Sequence, residues 1–198
     1  MDYTKCPLSL YQQVEKLKSR GLLIDDEQLA ERYLSNISYS DMAALKSEIV
    51  PSIEIERCCD YEALTDVWLA SVKATHDFLS EEDIEFYHER IPALYMPNVD
   101  IFAIKSAAGK WCAFIGLSVD NIEMLFVHPD EMGKGYGSSL LKFAVGVKCI
   151  RKVDVNRDNF KAFEFYQKHG FQVIGASDTD REGKPYPILH LELLAASL

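Results

Sequence analysis

Three glycines at alternate positions separate an apolar segment from a helix-forming segment, and this spacing restricts the fold more than any other feature of the chain. Gly133, Gly135 and Gly137 follow the apolar run 122–127 and precede the apolar segment 140–144. Glycine tolerates positive φ angles and lets a ligand approach the backbone closely. At a helix N-terminus, free N–H groups and the positive end of the helix dipole attract anions. The pattern therefore predicts a strand, a phosphate-binding loop and a helix; the alternative is a plain glycine turn.

The spacing of this loop differs from two common phosphate-binding motifs. A Walker loop has the form G-x-x-x-x-G-K-[ST], whereas Lys134 lies between the first two glycines. A Rossmann fingerprint has the form G-x-G-x-x-G, whereas Gly137 comes one residue early and Ser138 takes the place of the third glycine. Both motifs usually follow a first parallel strand, but two strand candidates precede this loop. Another kind of phosphate ligand is therefore expected.

Composition and charge argue against several classes of protein. The 198 residues are enough for one packed domain with a small appendage. A net charge of −10 argues against a nucleic-acid partner, which would need clustered Lys and Arg, and is compatible with a cationic amine. No apolar run reaches the ~20 residues that cross a bilayer, so no membrane association is expected.

The cysteines and the N-terminus indicate the compartment, and the histidines bear on metal binding. The five cysteines lack metal-ligand or redox spacing, which indicates reduced thiols in a cytoplasmic protein. The N-terminal residues MDYTKCPLSLYQQ lack the apolar core of a signal peptide. The five histidines are scattered without an H-x-x-x-H pair, so no metal site is expected.

The chain divides into two regions with different patterns of predicted secondary structure. Residues 1–51 are predicted to form three short helices, and Leu10, Val14 and Leu17 have helical spacing in the first of them. A proline then breaks the pattern. We therefore predict a helical N-terminal segment followed by a mixed domain of residues 52–198.

Strand and helix patterns mix in the second region in the order β-α-α-β-β-β-α-β-α-β-β. The predicted strands are 53–57, 101–106, 111–119, 122–127, 152–155, 171–176 and 188–193. The predicted helices are 60–76, 80–94, the helix after the glycine loop, and 160–169. The mixture predicts the α/β (α+β) class.

A second motif, VNRDNFKAFEFYQKHGF, follows the glycine loop at residues 155–171. It resembles the segment N-x-x-N-x-x-A-x-x-F-Y-x-x-x-G-F of the GNAT superfamily of N-acetyltransferases. The residues that match in register are Asn156, Asn159, Ala162, Phe165, Tyr166, Gly170 and Phe171. The loop MGKGYG at 132–137 likewise resembles the acetyl-CoA pyrophosphate loop of this family, [QR]-x-x-G-x-[GA]. Met132 stands where Gln or Arg is usual.

The resemblance covers about residues 53–197 and implies the GNAT fold. This fold is a mixed, mostly antiparallel sheet flanked by helices, here with a small N-terminal helical appendage. The implied co-substrate is acetyl-CoA. The implied cofactor contacts are Leu125, Phe126, Val127, Met132, Gly133, Lys134, Gly135, Tyr136, Gly137, Ser138, Asn156, Asn159 and Tyr166. Since Met132 lacks the usual polar side chain, backbone amides are expected to make most of the phosphate contacts.

Other implications of the resemblance concern single elements. The strand 122–127 should separate from the strand 152–155. The pantetheine arm of the cofactor can then pair with the open edge of strand 122–127. Asn156 and Asn159 lie just past a strand end, where their amides can bond the cofactor. Turn and N-cap chemistry explains them too, about equally well for Asn159.

Acetyl transfer to an amine requires a base, an oxyanion donor and an acid. A lysine-like ammonium has a pKa of about 10.4 and must lose a proton before it attacks. Glu123 suits the base, because a carboxylate that shares an apolar face with Leu125 and Val127 by two-residue alternation would be partly desolvated. The resemblance implies that an N–H of strand 125–127 stabilises the oxyanion. His76 is the second candidate for the base, or a histidine favoured by the C-terminal end of a helix dipole.

Tyr166 suits the acid, because a phenol can donate a proton to the departing thiolate at neutral pH. It also lies where many enzymes of the family keep their general acid. The alternative is a core aromatic beside Phe163, Phe165 and Phe171.

These residues predict direct acetyl transfer to a primary amine in a ternary complex. The acceptor, a small molecule or a peptide, is expected to bind among the loops 76–80, 95–100 and 177–187, which are the least diagnostic parts of the chain. A non-catalytic CoA-binding sensor or interaction module linked to phage defence is the alternative, suggested by Met132 and the helical segment.

Residues 8–40 resemble the opening segment of bacterial abortive-infection (Abi) family proteins. The rest of that family, including its presumed RNase residues, is absent, so no nuclease residue is assigned. The segment is expected to be a helical cap on the acetyltransferase, or an arm that binds a partner or forms a homodimer. A defence-linked protein whose N-terminal arm is the active part stays open.

Overall fold

The computed structural model describes residues 9–18, 27–28, 31 and 53–194. The chain divides into two compact units, Met1–Ser52 and Ile53–Leu198, and the acetyltransferase motifs all lie in the second.

In the first unit, helix α1 spans Leu10–Lys18. Ser9 and Gln12 form a capping box at its start. The Gln12 N–H donates to Ser9 Oγ at 3.2 Å, and the Ser9 N–H donates to Gln12 Oε1 at 3.0 Å. The first predicted helix is thus confirmed. Glu27, Gln28 and Glu31 are also helical, and the remainder of the other two predicted helices lies outside the described residues.

A seven-stranded sheet forms the centre of the second unit. The strands are β1 Glu56–Arg57, β2 Asp100–Lys105, β3 Trp111–Leu117, β4 Asn121–Val127, β5 Lys152–Asn156, β6 Phe171–Ser177 and β7 Ile188–Leu193. Their order across the sheet is β1-β2-β3-β4-β5-β7-β6. Among the strands that the structure describes, only β4 and β5 are parallel neighbours. The predicted element order and the mixed, mostly antiparallel sheet are confirmed.

The helices of this unit are α2 Tyr61–Thr75, α3 Glu81–Arg90, α4 Tyr136–Gly146 and α5 Phe160–Lys168. The side chains of Asp60, Ser80 and Asn159 accept N–H groups at the starts of α2, α3 and α5. Helix α3 passes into a π-helical turn, Ile91–Tyr95, so the predicted helix 80–94 changes type at its end. Within the described residues, no helix is long and apolar enough to cross a membrane.

Helices cover both faces of the sheet. Phe114 of β3 belongs to the buried cluster that contains Leu64 of α2, whereas the next residue, Ile115, belongs to the cluster that contains Leu140 of α4. Successive side chains of a strand point to opposite faces, so a strand covered on both sides is buried along its length. Full burial of one such side chain contributes about 1.5–3 kcal/mol.

Strands β4 and β5 pair only where they begin. Asn121 lies opposite Lys152 and Ile122 lies opposite Val153, and no later pair of residues is in register. From Glu123 onward the two strands part, and residues of both line the cavities described below. The opening of the sheet that the resemblance implies is confirmed.

A β-bulge lies at the point where the strands begin to part. Met124 pairs with Gly116 and Ile122 pairs with Leu117, so Glu123 has no partner in β3. A bulge adds one residue to one strand and redirects a side chain, and bulges are common beside active sites.

The bulge interrupts the alternation of side chains around Glu123. Ile122 belongs to the same buried cluster as Leu125 and Val127, whereas Met124 belongs to the cluster on the other face. Strict alternation would have placed Ile122 with Met124. Glu123 itself belongs to neither cluster, so the alternation from which it was expected to share a face with Leu125 and Val127 is interrupted at the bulge.

Candidate active site

A cavity of about 460 Å³ extends along the opening between β4 and β5. Its walls come from β4, the glycine loop, the start of α4, the end of β5 and helix α5. Fourteen of the predicted site residues line it: His76, Glu123, Leu125, Phe126, Val127, Met132, Gly133, Gly135, Tyr136, Gly137, Ser138, Asn156, Asn159 and Tyr166. Among the predicted site residues, only Lys134 lies outside this lining. The structure thus brings the two sequence motifs to one cavity.

The glycine loop presents backbone amides to this cavity. Gly133 and Gly135 have φ angles of 79° and 88°, in the left-handed region that favours glycine. Helix α4 begins at Tyr136, and the Ser139 N–H donates to the Gly135 carbonyl at 3.0 Å. The N–H groups of residues 136–138 precede the helical ladder and can bind an anion. This geometry fits a pyrophosphate.

The side chains of the loop add little positive charge to the cavity. Met132 is 43% exposed and lines the cavity with a thioether. Lys134 Nζ lies 2.9 Å from the Glu131 carboxylate, which itself lines the cavity. The one lysine of the loop is therefore paired with Glu131, which leaves the backbone amides as the donors that the loop offers.

A histidine links the two motifs. Since a carbonyl only accepts, His169 Nδ1–H donates to the Phe165 carbonyl at 2.8 Å. In the neutral ring, Nε2 then accepts the Ser138 hydroxyl at 3.1 Å. This bond joins the end of α5 to the first turn of α4.

Tyr166 is both a core residue and part of the cavity wall. Its ring packs edge-on against Phe165 and Phe171, with centroids 5.2 Å and 5.5 Å apart. Burial raises the pKa of Tyr166 above its ordinary value, so the phenol keeps its proton at neutral pH. Among the described residues, nothing forms a hydrogen bond with its hydroxyl. The hydroxyl is therefore available to a ligand in the cavity.

The two asparagines of the second motif have local hydrogen bonds. Asn156 Oδ1 accepts the Asp158 N–H at 2.8 Å in an Asx turn. Asn159 Oδ1 accepts the Ala162 N–H at 3.1 Å and caps α5. The turn and capping roles are thus present, and both residues line the cavity as well.

His76 is held in one tautomer by its neighbours. The Thr75 hydroxyl donates to the Ser71 carbonyl at 2.8 Å, so Thr75 Oγ1 accepts the His76 Nδ1–H at 2.8 Å. His76 Nε2 then accepts from Asn159 Nδ2 at 3.3 Å. Burial lowers the pKa of His76 from 6.5 to about 4. The ring is neutral at physiological pH, and its lone pair is already used.

This lowered pKa predicts a specific loss of stability in acid. Between pH 6.5 and about 4 the unfolded chain binds a proton that the folded His76 refuses, so stability falls as the pH falls through this window. The full effect is about 3 kcal/mol. Replacing His76 by glutamine keeps an acceptor for Asn159 and removes the titration. We expect the difference in unfolding free energy between wild type and His76→Gln, measured by urea denaturation, to change by about 3 kcal/mol from pH 7 to pH 4. A difference independent of pH would contradict the buried neutral histidine.

Glu123 lies where two cavities meet. Its side chain is 15% exposed. The Ser118 hydroxyl donates to Glu123 Oε1 at 2.7 Å, and Arg181 Nη1 lies 2.7 Å from Glu123 Oε2. The bulge thus turns this carboxylate toward Ser118 and Arg181.

The second cavity, of about 730 Å³, shares Glu123, Met124, Phe126 and Asp154 with the first. Its other lining residues include the aromatic side chains of Trp68, Tyr87 and Tyr95 and the polar side chains of Asp180, Arg181, Glu182 and His190. The predicted acceptor segments 95–100 and 177–187 contribute to it. The segment 76–80 does not, since His76 lines the first cavity instead.

Sequence reasoning missed several charged residues of the second cavity. Asp154 accepts from Arg181 Nη2 at 3.4 Å and lies 2.7 Å from His190 Nδ1. The alternation in KVDVN was a usable signal, because Asp154 stands between the buried Val153 and Val155. Arg181 lies on a connecting segment without periodicity, and nothing local marks it.

Comparisons with known proteins agree with this geometry. A family model of the Acetyltransferase (GNAT) domain matches residues 97–173. The peptidyl-lysine N-acetyltransferase YjaB of Escherichia coli (strain K12) is 35% identical over 151 residues, covering 75% of this chain and 100% of YjaB. The solution structure of apo-form YjaB from Escherichia coli has a TM-score of 0.66 and 34% identity, and the match covers 73% of this chain and 99% of that one.

A second solved structure contains the cofactor. The PaiA N-acetyltransferase from Thermoplasma acidophilum, in complex with coenzyme A, has a TM-score of 0.57 and 26% identity; the match covers 72% of this chain and 99% of that one. These relatives do not favour a non-catalytic module. The match to YjaB over its whole length, together with loop amides that fit a pyrophosphate, shows that the chain belongs to the GNAT family and is an acetyl-CoA-dependent N-acetyltransferase.

Proposed function

We propose that this protein acetylates lysine side chains of peptides or proteins by direct transfer in a ternary complex. The observation that carries the proposal is the meeting of two cavities at Glu123, where β4 and β5 part. The first cavity fits the cofactor, and the second has carboxylates and aromatic rings suited to a primary ammonium on an apolar stem. The relatives named peptidyl-lysine N-acetyltransferase support this class of acceptor.

Glu123 is the base in this proposal. It takes a proton from the acceptor ammonium, directly or through one water molecule, and the amine nitrogen then attacks the thioester carbon. His76 is less suited, because its pKa is about 4 and Asn159 already donates to its lone pair. We assign His76 to the positioning of Asn159.

Tyr166 and the backbone of β4 complete the assignment. An N–H of Leu125, Phe126 or Val127, on the edge that parts from β5, donates to the developing oxyanion. The Tyr166 hydroxyl then gives its proton to the departing thiolate as the carbon–sulfur bond breaks. The nitrogen loses a second proton as the amide forms, and this proton restores the Tyr166 hydroxyl. The proton taken by Glu123 leaves to solvent, so the products are the amide, the CoA thiol and one proton.

A lysine peptide tests the proposed acceptor. The protein is incubated with acetyl-CoA and a short peptide that carries one lysine and a blocked N-terminus, and thiol release and peptide mass are followed. We expect one acetyl group per lysine peptide and none on the matched peptide with arginine. Transfer to polyamines or other small amines alone would overturn the peptidyl-lysine assignment and leave the acetyltransferase standing.

Residues 1–51 are proposed to be a helical appendage of the acetyltransferase domain 52–198, with the Abi-like segment 8–40 inside it. The same peptide assay on the chain without residues 1–51 tests this division. If the shortened chain still acetylates the peptide, residues 1–51 are an appendage. If it does not, the segment is needed for the activity of the acetyltransferase. Sedimentation of both forms reports whether the segment carries a homodimer. We also propose a cytoplasmic location, because the four described cysteines are free thiols.

A further inference from the structure

Arg181 forms ion pairs with the two carboxylates that the acceptor amine must reach. Its guanidinium contacts Glu123 Oε2 at 2.7 Å and Asp154 Oδ2 at 3.4 Å. Both carboxylates belong to the wall that the two cavities share. A cation of this chain therefore sits on the path between the second cavity and the cofactor cavity.

This arrangement conflicts with acetyl transfer unless the contact breaks. An incoming ammonium is attracted by the same two carboxylates, and the guanidinium and the ammonium cannot both occupy the space between them. While Glu123 Oε2 is paired with the guanidinium, that oxygen cannot also contact the acceptor's ammonium.

We propose that Arg181 is an internal stand-in for the acceptor's ammonium, and that a cationic acceptor has to displace it. This inference rests on the proposed function. It makes Arg181 a residue that sets acceptor affinity: the acceptor must be a cation able to exchange with a guanidinium at Glu123 and Asp154. Neutral amides and hydroxyls lack that charge.

The contacts around Arg181 allow the side chain to leave while the loop stays in place. The residues on either side are anchored, with the Tyr87 hydroxyl donating to Asp180 and the Tyr95 hydroxyl donating to Glu182 at 2.7 Å. The Arg181 side chain itself is 69% exposed. Displacement therefore needs only a rotamer change of one exposed side chain, which takes picoseconds to nanoseconds.

Farther along the same loop, a second set of anchors fixes the backbone to α3. Lys184 Nζ and the Tyr186 hydroxyl both contact the Asp83 carboxylate, and Lys184 Nζ lies 4.1 Å from the Phe86 ring centroid. These contacts keep the loop against α3 whether or not Arg181 is paired. The exchange is therefore a local competition between two cations.

The competition has a measurable cost for the acceptor. If the paired form of Arg181 dominates, the apparent affinity of the acceptor falls by the fraction of protein in which the carboxylates are free. Because the pair is partly exposed and screened by water, the factor is modest, about threefold to tenfold.

Steady-state kinetics of Arg181→Ala with the lysine peptide tests the proposal. We expect KM for the peptide to fall by about threefold to tenfold, and kcat at saturating peptide to stay within about twofold. Arg181→Lys keeps a cation at this place and is expected to have a KM closer to wild type. Arg57→Ala is the matched control, because Arg57 is 71% exposed and pairs with Asp100 near the opposite edge of the sheet; its KM should not change.

Two outcomes would overturn the proposal that Arg181 competes with the acceptor. A KM that is unchanged or higher in Arg181→Ala shows that no competition exists. A fall in kcat without a fall in KM shows instead that Arg181 positions Glu123. If the wild-type protein does not acetylate the lysine peptide at all, the proposed function fails separately. Calorimetric binding of the same peptide to the CoA-loaded protein then decides: tighter binding by Arg181→Ala supports the competition, and equal or weaker binding overturns it.

Discussion

Replacing Tyr166 by phenylalanine is expected to lower kcat by about 10²–10⁴-fold, the usual contribution of a positioned general acid. Tyr166 lines the cofactor cavity, and its hydroxyl has no hydrogen-bond partner among the described residues, so its removal takes away a proton donor and little else. The dissociation constant for acetyl-CoA, measured by calorimetry, should change by less than about threefold. Turnover is followed by thiol release.

The same substitution should leave the fold intact, because the aromatic ring retains its packing against Phe165 and Phe171. Its thermal midpoint should match wild type. Tyr61→Phe, at the start of α2 and outside the lining of both cavities, is the matched control and should keep full activity. Full turnover in Tyr166→Phe would make Tyr166 a packing residue and leave the acid to solvent.

Replacing Glu123 by glutamine is the second change with a large expected effect. The amide keeps the shape of the side chain and can still accept the Ser118 hydroxyl, but it cannot take a proton. We expect kcat/KM for the lysine peptide to fall by about 10²–10⁴-fold at pH 7. The measurement is the initial rate at low peptide concentration.

The pH profile separates this loss from misfolding. Without a base, only amine that is already neutral reacts, so the rate of Glu123→Gln should rise about tenfold per pH unit toward the amine pKa of about 10.4. Glu164→Gln, an exposed change on α5, should follow the wild-type profile. If Glu123→Gln is as active as wild type at pH 7, another group or water takes the proton.

Local patterns explain why so much of the fold could be predicted. The predicted first residues of the strand Ile188–Leu193 and of the helix at Phe160 match the structure. Both starts depend on neighbouring residues alone, through apolar periodicity in the strand and an N-cap asparagine before the helix. The glycine loop could be predicted for the same reason. Gly133 and Gly135 need positive φ angles, and few residues other than glycine adopt them.

Long-range contacts explain what could not be predicted. The direction of Glu123 depends on a bulge, which arises from the register of β4 against β3 and leaves no mark in the residues of β4 alone. Arg181 meets Glu123 and Asp154 from a loop far along the chain. The tautomer of His76 depends on Asn159, which lies 83 positions later in the sequence.

The bond between His169 and Ser138 has a consequence for the size of the acyl group that can be transferred. Helix α5 carries Tyr166 and, through His169, holds the first turn of α4, so one rigid element sets the span between the pyrophosphate amides and the phenol. In the proposed mechanism, the distance from the phosphates to the thioester carbonyl is therefore fixed by α5. We expect the extra carbons of an acyl chain longer than acetyl to enter the second cavity, where the amine is proposed to bind.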